Sequence, residues 1–500
     1  MTVASKPASS LPRGLSRLMV EPRRPQAVRN SPQAPWLVVG TVCIGAFMGQ
    51  LDASIVTLAF PTLRHGFGAS LADVQWVSQA YLLVLIGLLP AVGRYADMFG
   101  RKLLYTYGFL LFVITSALCG LAPDLPALIA FRALQGVGAA MFQANSFAII
   151  ASAVPRARLG RAIGVQGGAQ ALGLALGPAA GGLLIGLGSW RLIFFVNVPV
   201  GLIGTVLAFL LIPRSRDLAS RRPFDWAGLG VFLPAMSAAL LAVSYGNRFG
   251  WGSALIIGLF LTGAALLAVF VRRQRSTPDA MIDLSLFSRR SFSAGILSGL
   301  LSYLVLFGIL TVLPFFLEVA RHEGPAEAGV QLLVLPVGLA LTAPFAGRLA
   351  DRVGTRPLSV GGMIMVAAAL AVSTGVGDQP GVFLAVLAVA GVGLGAFTPA
   401  NNAAIMAAAP PRQSGSVGGV LNTTRGLGTS LGLALAGLAF TLGAGTGEAS
   451  ARGASSGYAD AALFLAALAT AAAFISAFRN NPTCAARRDA GRARQEERAT

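Results

Sequence analysis

Long apolar stretches recur along almost the whole chain, and short clusters of Pro, Gly and charged residues separate them. Each stretch has about 18 or more residues, which is enough to cross about 30 Å of hydrocarbon as a helix. The pattern predicts an all-α integral membrane protein. Its fourteen spans lie near residues 36–60, 75–93, 102–122, 125–150, 162–186, 190–212, 226–246, 253–271, 291–317, 328–347, 357–376, 381–404, 415–442 and 459–478.

The composition excludes an ordinary soluble enzyme. Of the 500 residues, 55% are hydrophobic and 11% are charged, whereas a soluble domain carries about 25% charged residues. Three cysteines without paired spacing and two histidines cannot form a disulfide framework, a zinc site or a Cys/His nucleophile. No GK[ST] motif occurs, so ATP is not the expected energy source, and the sequence predicts neither a metal nor a cofactor.

The basic residues predict the orientation of the chain in the membrane. Alternate loops fall into two sets, and the set that contains both termini holds 31 of the 38 Lys and Arg residues, against five in the other. Because translocation disfavours basic loops, both termini are expected in the cytoplasm of a bacterial cell, with the protein in its cytoplasmic membrane. The net charge of +19 is thus attributed to topology, and nucleic acid is not an expected partner.

An internal repeat divides the chain into two halves. GRYADMFGRK at 93–102 reappears as GRLADRVGTR at 347–356, and GVGAAMF at 136–142 reappears as GVGLGAF at 391–397. Offsets of 254 and 255 fit two bundles of six helices, at 36–212 and 273–480, with an inserted pair of helices within 213–272. Residues 1–35 are predicted to be a disordered cytoplasmic tail without a signal peptide, and 481–500 a basic cytoplasmic tail.

Several motifs resemble those of the major facilitator superfamily, and in particular its fourteen-spanner drug/proton antiporters. The loop motif GRYADMFGRK and the arginine-centred LIAFRALQGVGAA at 128–140 are similar to family patterns. The antiporter motif G-x8-G-x3-GP-x2-GG is matched in full. Its residues are Gly164, Gly173, Gly177, Pro178, Gly181 and Gly182. Three further segments are similar to family patterns: LDASIVTLAFP at 51–61, WRLIFFVNVPVG at 190–201 and FDWAGLG at 224–230.

This resemblance implies a major-facilitator-type bundle with 14 transmembrane helices arranged as six, two and six. It also implies a secondary active transporter, not an enzyme, which exports lipophilic small molecules such as antibiotics in exchange for protons by alternating access. Its partners would be the cargo, protons and membrane lipid, and a monomer is expected. Two alternatives stay open: a proton-driven importer of a small metabolite, and a membrane-embedded enzyme or sensor.

Asp52 and Arg132 are the candidates for proton coupling. Asp52 is the only carboxylate deep inside a predicted span, about 12 Å below the external end of the first helix. Arg132, in the fourth helix, lies about 10 Å below the same external surface, so the two residues can share a depth. Intramembrane ionisable residues are functional by default, so proton coupling is the favoured interpretation. A permanent structural ion pair is the alternative.

The repeated loop motif predicts a gate on the cytoplasmic side. Asp97 can bind the positive end of a neighbouring helix or the side chain of Arg101, and either contact would have to break during transport. A purely topological role of a basic loop is the alternative. The second copy departs from the first at Thr355, and the gating residues are Gly93, Asp97, Gly100, Arg101, Lys102, Gly347 and Asp351.

The antiporter motif places Gly173, Gly177 and Gly181 on one helical face, where a neighbouring backbone can approach closely, and Pro178 is expected to bend the helix. Such a helix can act as a hinge or a leak seal. Static packing is the alternative for any one of these glycines.

Polar residues in the spans suggest a cargo site, although buried amides also bridge helices in any bundle. Arg425 either binds cargo or is neutralised by backbone carbonyls and water. Because the spans hold two arginines against one carboxylate, the sequence favours a neutral or weakly acidic amphipathic cargo over a dication. The proposed cavity residues are Gln143, Gln166, Gln170, Asn422 and Arg425.

Overall fold

The structure of the protein is a computed structural model. It describes residues 21, 23–215, 218–219, 223–278, 280–377, 379–445 and 450–479. These residues form fourteen helices that are long and apolar enough to span a membrane, which confirms the predicted fold class and helix count. They are α1 (Ala34–Phe67), α2 (Leu71–Phe99), α3 (Arg101–Gly120), α4 (Leu125–Ala153), α5 (Arg156–Gly186), α6 (Leu192–Leu211), α7 (Trp226–Phe249), α8 (Ala254–Ser276), α9 (Arg290–Ala320), α10 (Glu327–Val353), α11 (Thr355–Ser373), α12 (Pro380–Ala408), α13 (Pro411–Ala444) and α14 (Ala451–Ala477).

Several helices extend beyond the spans predicted from apolar residues, and α1 and α14 show how local residues allow this. α1 passes through a 3₁₀ turn at Val56–Ala59 and continues to Phe67, because Pro61 occupies the first turn of the following helical segment, where its missing N–H costs nothing. α14 begins at Ala451, eight residues before the predicted start at 459, since the Ser450 hydroxyl accepts a hydrogen bond from the Gly453 amide and caps the helix.

One face of the bundle, here called the basic face, contains the loops that connect α2 to α3, α4 to α5, α6 to α7, α8 to α9, α10 to α11 and α12 to α13. Contacts between several of these loops support the grouping. For example, the Arg289 guanidinium donates to the carbonyl of Ala408, and Gln413 donates to the carboxylate of Asp283. These are the loops that the charge count assigned to one side.

The two halves meet along two seams, where α5 packs against α10 and α2 packs against α13. Close helix contacts within each half follow the sequence repeat. Gly138 of α4 lies against the backbone of Gly108 in α3, and Gly393 of α12 lies against Gly362 of α11 in the same way. Gly138 and Gly393, which are 255 residues apart in the sequence, therefore make equivalent helix contacts in the two halves.

The inserted helices α7 and α8 pack together, and α7 also touches both halves. Tyr245 of α7 donates to the side-chain carbonyl of Gln79 in α2 at 3.2 Å, and Asn247 donates to the carbonyl of Ala434 in α13. The inserted pair is consequently attached to the α2/α13 seam, and within the described residues it does not cover the α5/α10 seam.

A polar junction ties α7 to α8. Asp225, which caps the start of α7 through the Gly228 amide, accepts hydrogen bonds from Arg273 and Gln274 at the end of α8, each at 2.8 Å. Burial alone would raise the pKa of the Asp225 carboxyl, but these hydrogen bonds outweigh it and hold that pKa below its usual value.

The prediction of a disordered tail over residues 1–35 is wrong for the part that the structure describes. Residues Gln26–Arg29 form a helical turn, and the Glu21 carboxylate accepts hydrogen bonds from the amides of Ser215 and Lys102. This segment is ordered because α3 begins without a side-chain cap of its own, and Glu21 satisfies part of its free N-terminus. The predicted basic tail at 481–500 lies outside the described residues.

Candidate functional site: a buried charge pair, a closed seam and a central cavity

The structure brings Asp52 and Arg132 together inside the N-terminal half. One carboxylate oxygen of Asp52 lies 2.7 Å from the guanidinium of Arg132, and both side chains are buried, with 0% and 1% exposure. The other oxygen accepts hydrogen bonds from Asn197 at 2.9 Å and from Gln135 at 3.2 Å. The carboxylate is therefore fully hydrogen-bonded and sealed from water in this conformation.

The guanidinium of Arg132 is held on several sides. It donates to the carbonyls of Val77 in α2 and of the Gln135 side chain, and its centre lies 4.2 Å from the ring centroid of Tyr81. Phe194 contributes a second ring at 5.8 Å. The charge pair thus joins α1, α2, α4 and α6, so that loss of the pair would loosen several helices at once.

Sequence reasoning missed the two amides that complete this site. Gln135 lies three residues after Arg132 and so on the same helical face, which was an available signal. Asn197 lies within the motif WRLIFFVNVPVG and begins the main segment of α6, which Val196 separates from a short helical turn at Leu192–Phe195. It also donates to the hydroxyl of Ser116 in α3, which fixes its orientation.

The first copy of the loop motif closes the α2/α13 seam at the basic face. Asp97 is fully buried and accepts hydrogen bonds from the backbone amides of Gly415 and Ser416, both at 2.8 Å, at the start of α13. Arg101 binds Asp97 at 2.7 Å and also donates to the carbonyl of Pro411 across the seam. Asp97 thus contacts both of the partners considered from the sequence, a helix N-terminus and Arg101.

The second copy closes the α5/α10 seam in the same manner. Asp351 accepts hydrogen bonds from the amides of Gly160 at 2.7 Å and Arg161 at 2.9 Å, at the start of α5. Each aspartate therefore caps the helix of the opposite half, which matches the electrostatics of a helix N-terminus. Thr355 stands where the first copy has Arg101, so this side lacks the arginine that crosses the other seam.

Glycines allow both seams to close. A Cβ added at Gly93 would collide with the carbonyl of Gly415, and one at Gly347 would collide with the carbonyl of Gly160. Gly100 has a φ of 122°, which favours glycine, and forms the turn between α2 and α3.

Lys102, the last of the predicted gating residues in the first copy of the motif, makes a contact within its own half. Its ammonium group lies 5.8 Å over the ring of Phe209 in α6.

The antiporter motif packs α5 against α1. Cβ atoms at Gly173, Gly177 and Gly181 would each meet atoms of α1, the first of them the backbone of Phe47. Gly164, nearer the basic face, instead meets the backbone of Ala343 in α10.

The rest of the motif behaves differently. Pro178 lies inside an unbroken helix from Leu159 to Gly186, and a Cβ at Gly182 would meet nothing within 4 Å. Close packing is thus found at Gly173, Gly177 and Gly181, the glycines for which it was predicted, and not at Gly182.

A central cavity lies between the two halves. Helices α1, α5, α9, α10, α12 and α13 contribute to its wall, so that both halves contact its contents. Its lining residues are Gln50, Gly167, Gln170, Ala171, Leu174, Tyr303, Leu306, Phe307, Pro336, Leu339, Thr398 and Arg425.

Of the five predicted cavity residues, Gln170 and Arg425 line this cavity. Asn422 lies beside it, since its amide oxygen accepts a hydrogen bond from Arg425 at 3.2 Å. Gln143 is bound through its backbone carbonyl to Asn422, and its side chain lies next to Gly49 of α1.

Gln166 does not line the cavity, contrary to the sequence-based expectation. Its side chain is fully buried and donates to the hydroxyl of Ser146 in α4 at 3.1 Å. It bridges two helices of the same half, which was the alternative role considered for such amides. Helical periodicity placed Gln166 on the face of Gln170, but α4 covers the end of that face.

The sequence profile described as "Major Facilitator Superfamily" matches residues 42–272 and 295–498. The riboflavin transporter RibZ of Clostridioides difficile (strain 630) is 34% identical over 401 residues, which cover 80% of this chain and 87% of that protein. The tetracenomycin C resistance and export protein of Streptomyces glaucescens is 31% identical over 421 residues, which cover 83% of this chain and 78% of that protein.

A solved structure supports the fold. The crystal structure of the human organic anion transporter MFSD10 (TETRAN) superposes with a TM-score of 0.65 at 16% identity, and the match covers 89% of this chain and 100% of that one.

Proposed function

The chain belongs to the major facilitator superfamily of transporters, and we propose that it exports lipophilic small molecules from the cytoplasm in exchange for external protons. The buried Asp52–Arg132 pair is the observation that carries the proton-coupling part of this proposal. The relative named for tetracenomycin C resistance and export supports the outward direction and an antibiotic-like cargo.

We propose the cytoplasm for the basic face, because the positive-inside rule disfavours translocation of loops rich in arginine. The conformation described above is then closed towards the cytoplasm at both seams. The expected setting is a bacterial cytoplasmic membrane, and the expected working unit is a monomer.

In the proposed cycle, protonation of Asp52 removes the charge that compensates Arg132. A buried guanidinium without its partner is unfavourable, so this state favours a rearrangement in which Arg132 gains other partners or water. Because Asp52 is sealed here, the proton would enter only after the contacts around the carboxylate have opened.

A continuous set of contacts connects this site to the cavity and the seam. α1 carries both Asp52 and the cavity residue Gln50, and its close packing against α5 runs through the glycines of the antiporter motif. The first turns of α5 in turn contain Gly160, whose amide donates to Asp351 where the seam closes. Movement of α1 after protonation can therefore act on cargo binding and on the gate through a shared element.

A proton-driven importer of a small metabolite is the second candidate, favoured by the similarity to a protein named as a riboflavin transporter. The two candidates differ in the direction in which a proton gradient moves the cargo. A membrane-embedded enzyme or sensor has less support, since the sequence lacks a cluster of nucleophile, acid and base.

Inverted membrane vesicles separate export from import. The cargo is first identified by drug-susceptibility profiling of strains with and without the gene, and its labelled form is then presented to vesicles with an acidic interior. Accumulation that collapses with the pH gradient supports export in exchange for protons. Gradient-driven loss of preloaded cargo would instead establish the importer.

A further inference from the structure

The central cavity contains one positive charge and no negative charge among its lining residues. Arg425 is half-buried at the wall, and the other polar lining residues, Gln50, Gln170, Tyr303 and Thr398, are uncharged at neutral pH. The carboxylate of Asp52, also on α1, is bound to Arg132 and sealed at 0% exposure. Arg425 therefore determines the electrostatic character of the cavity.

The guanidinium of Arg425 is held in place without an acidic partner among the residues that the structure describes. It donates one hydrogen bond to Asn422, and its centre lies 4.8 Å from the ring centroid of Tyr303. The Asn422 amide group donates to the carbonyls of Gln143 and Gly418, which turns its oxygen towards Arg425. A guanidinium has five N–H donors, so this arrangement leaves donors for a bound molecule.

The remaining wall suits a flat apolar group. Leu306, Phe307, Pro336 and Leu339 supply hydrocarbon and aromatic surface. Pockets that bind small molecules are lined mostly by such apolar side chains. Gln50 and Gln170 add amide donors and acceptors on the opposing half. Polar groups of this kind fix the orientation of a largely apolar ligand.

We infer that the cavity binds aromatic weak acids, whose acidic oxygen accepts hydrogen bonds from Arg425 while the ring system lies against Phe307 and Leu339. This inference rests on the proposed function, because it assigns the cavity to the cargo. Charge-assisted hydrogen bonds from a guanidinium to an oxyanion are strong and directional. A cationic compound would meet an uncompensated guanidinium and would be excluded.

Three probes with one ring system and different charges test this inference. They are anthracenecarboxylate, anthracenecarboxamide and the ammonium form of (aminomethyl)anthracene. Their affinities are measured by equilibrium dialysis against the full-length protein in nanodiscs of zwitterionic phosphatidylcholine, with empty nanodiscs as background. Neutral lipid removes competition from anionic headgroups.

The wild-type protein is expected to bind the carboxylate about tenfold more tightly than the amide, which corresponds to about 1.4 kcal/mol, and the ammonium most weakly. Arg425→Gln removes the preference for the carboxylate. Arg425→Lys retains part of it, since lysine keeps the charge but loses the planar fork. The matched control is Arg248→Gln, which removes an exposed arginine at the end of α7 and leaves the preference unchanged.

Equal affinities for the three probes in the wild-type protein would overturn the inference, as would failure of the carboxylate to bind. A carboxylate preference that persists in a folded Arg425→Gln variant would also overturn it. These outcomes concern the cargo class alone. The proposed function is tested separately, by proton-driven accumulation in inverted vesicles of the cargo found by susceptibility profiling. Such accumulation would support export even if the anthracene probes showed no preference for the carboxylate.

Discussion

At the scale of single residues, the energetics of the Asp52–Arg132 pair depend on its burial. Two charges removed from water are stable only because each is paired and hydrogen-bonded, here by Gln135, Asn197 and the carbonyl of Val77. A change to one partner leaves the other charge buried and uncompensated. A change to both removes the problem.

We therefore predict that Asp52→Asn destabilises the protein by about 3–5 kcal/mol, whereas Asp52→Asn combined with Arg132→Gln recovers most of this loss. The measurement is a thermal unfolding curve of the purified proteins in detergent, with the wild-type protein alongside. Equal stability of the Asp52→Asn single variant and the wild-type protein would contradict a tightly coupled pair.

The sequence predicts the charged members of this site better than the neutral ones. Asp52 and Arg132 stand out because charges in apolar spans are costly and therefore rare, and helix geometry gives them a similar depth. Asn197 has no such signal, since buried amides are ordinary in helix bundles. Its contact with Asp52 depends on how α6 packs against α1, which local spacing does not determine.

At the scale of helices, α5 has two different glycine faces. Towards the basic face, Gly160 and Gly164 contact α10 of the other half, whereas Gly173, Gly177 and Gly181 contact α1 of the same half. One helix thus connects the seam to the helix that carries Asp52. Static packing and mechanical coupling both require α5 and α1 to approach closely. Gly173, Gly177 and Gly181 allow this approach, whereas Gly182 faces open space.

We predict that Gly173→Ala impairs folding and transport, because its Cβ would collide with the backbone carbonyl of Phe47, which cannot rotate away. Gly182→Ala is the matched control from the same motif. It has open space and is expected to retain activity, with a gain of up to about 1 kcal/mol from helix propensity. Thermal stability and cargo efflux are measured for both, and equal behaviour of the two variants would refute this packing account.

At the scale of the whole molecule, the two seams are related by the sequence repeat but differ in strength. Asp97 binds two amides, the Ser416 hydroxyl and Arg101, while Asp351 binds the two amides of Gly160 and Arg161. The repeat at an offset of 254 predicts that both copies have equivalent roles. The repeat does not predict which helix each aspartate caps. Asp97 and Gly415, for example, lie 318 positions apart in the chain, and no local sequence pattern connects them.

We predict that Asp97→Asn opens the basic face more often than Asp351→Asn does. Spin labels at Ala157 and Arg352, both exposed, report the separation of the halves by double electron–electron resonance in a variant without Cys43, Cys119 and Cys484. Asp124→Asn is the control, since asparagine caps a helix as well as aspartate and Asp124 caps α4 at the opposite face. A larger long-distance population for Asp351→Asn would contradict the predicted order.

The central claim is that Asp52 carries the proton that is exchanged for cargo, and proton movement in proteoliposomes tests it most directly. A pH-sensitive dye inside the liposomes records protons moved per molecule of cargo, for the wild-type protein and for the Asp52→Asn, Arg132→Gln double variant. We predict cargo-dependent proton movement for the wild-type protein, and for the folded double variant cargo-for-cargo exchange without proton movement. Proton movement by the double variant at the wild-type ratio would contradict the account.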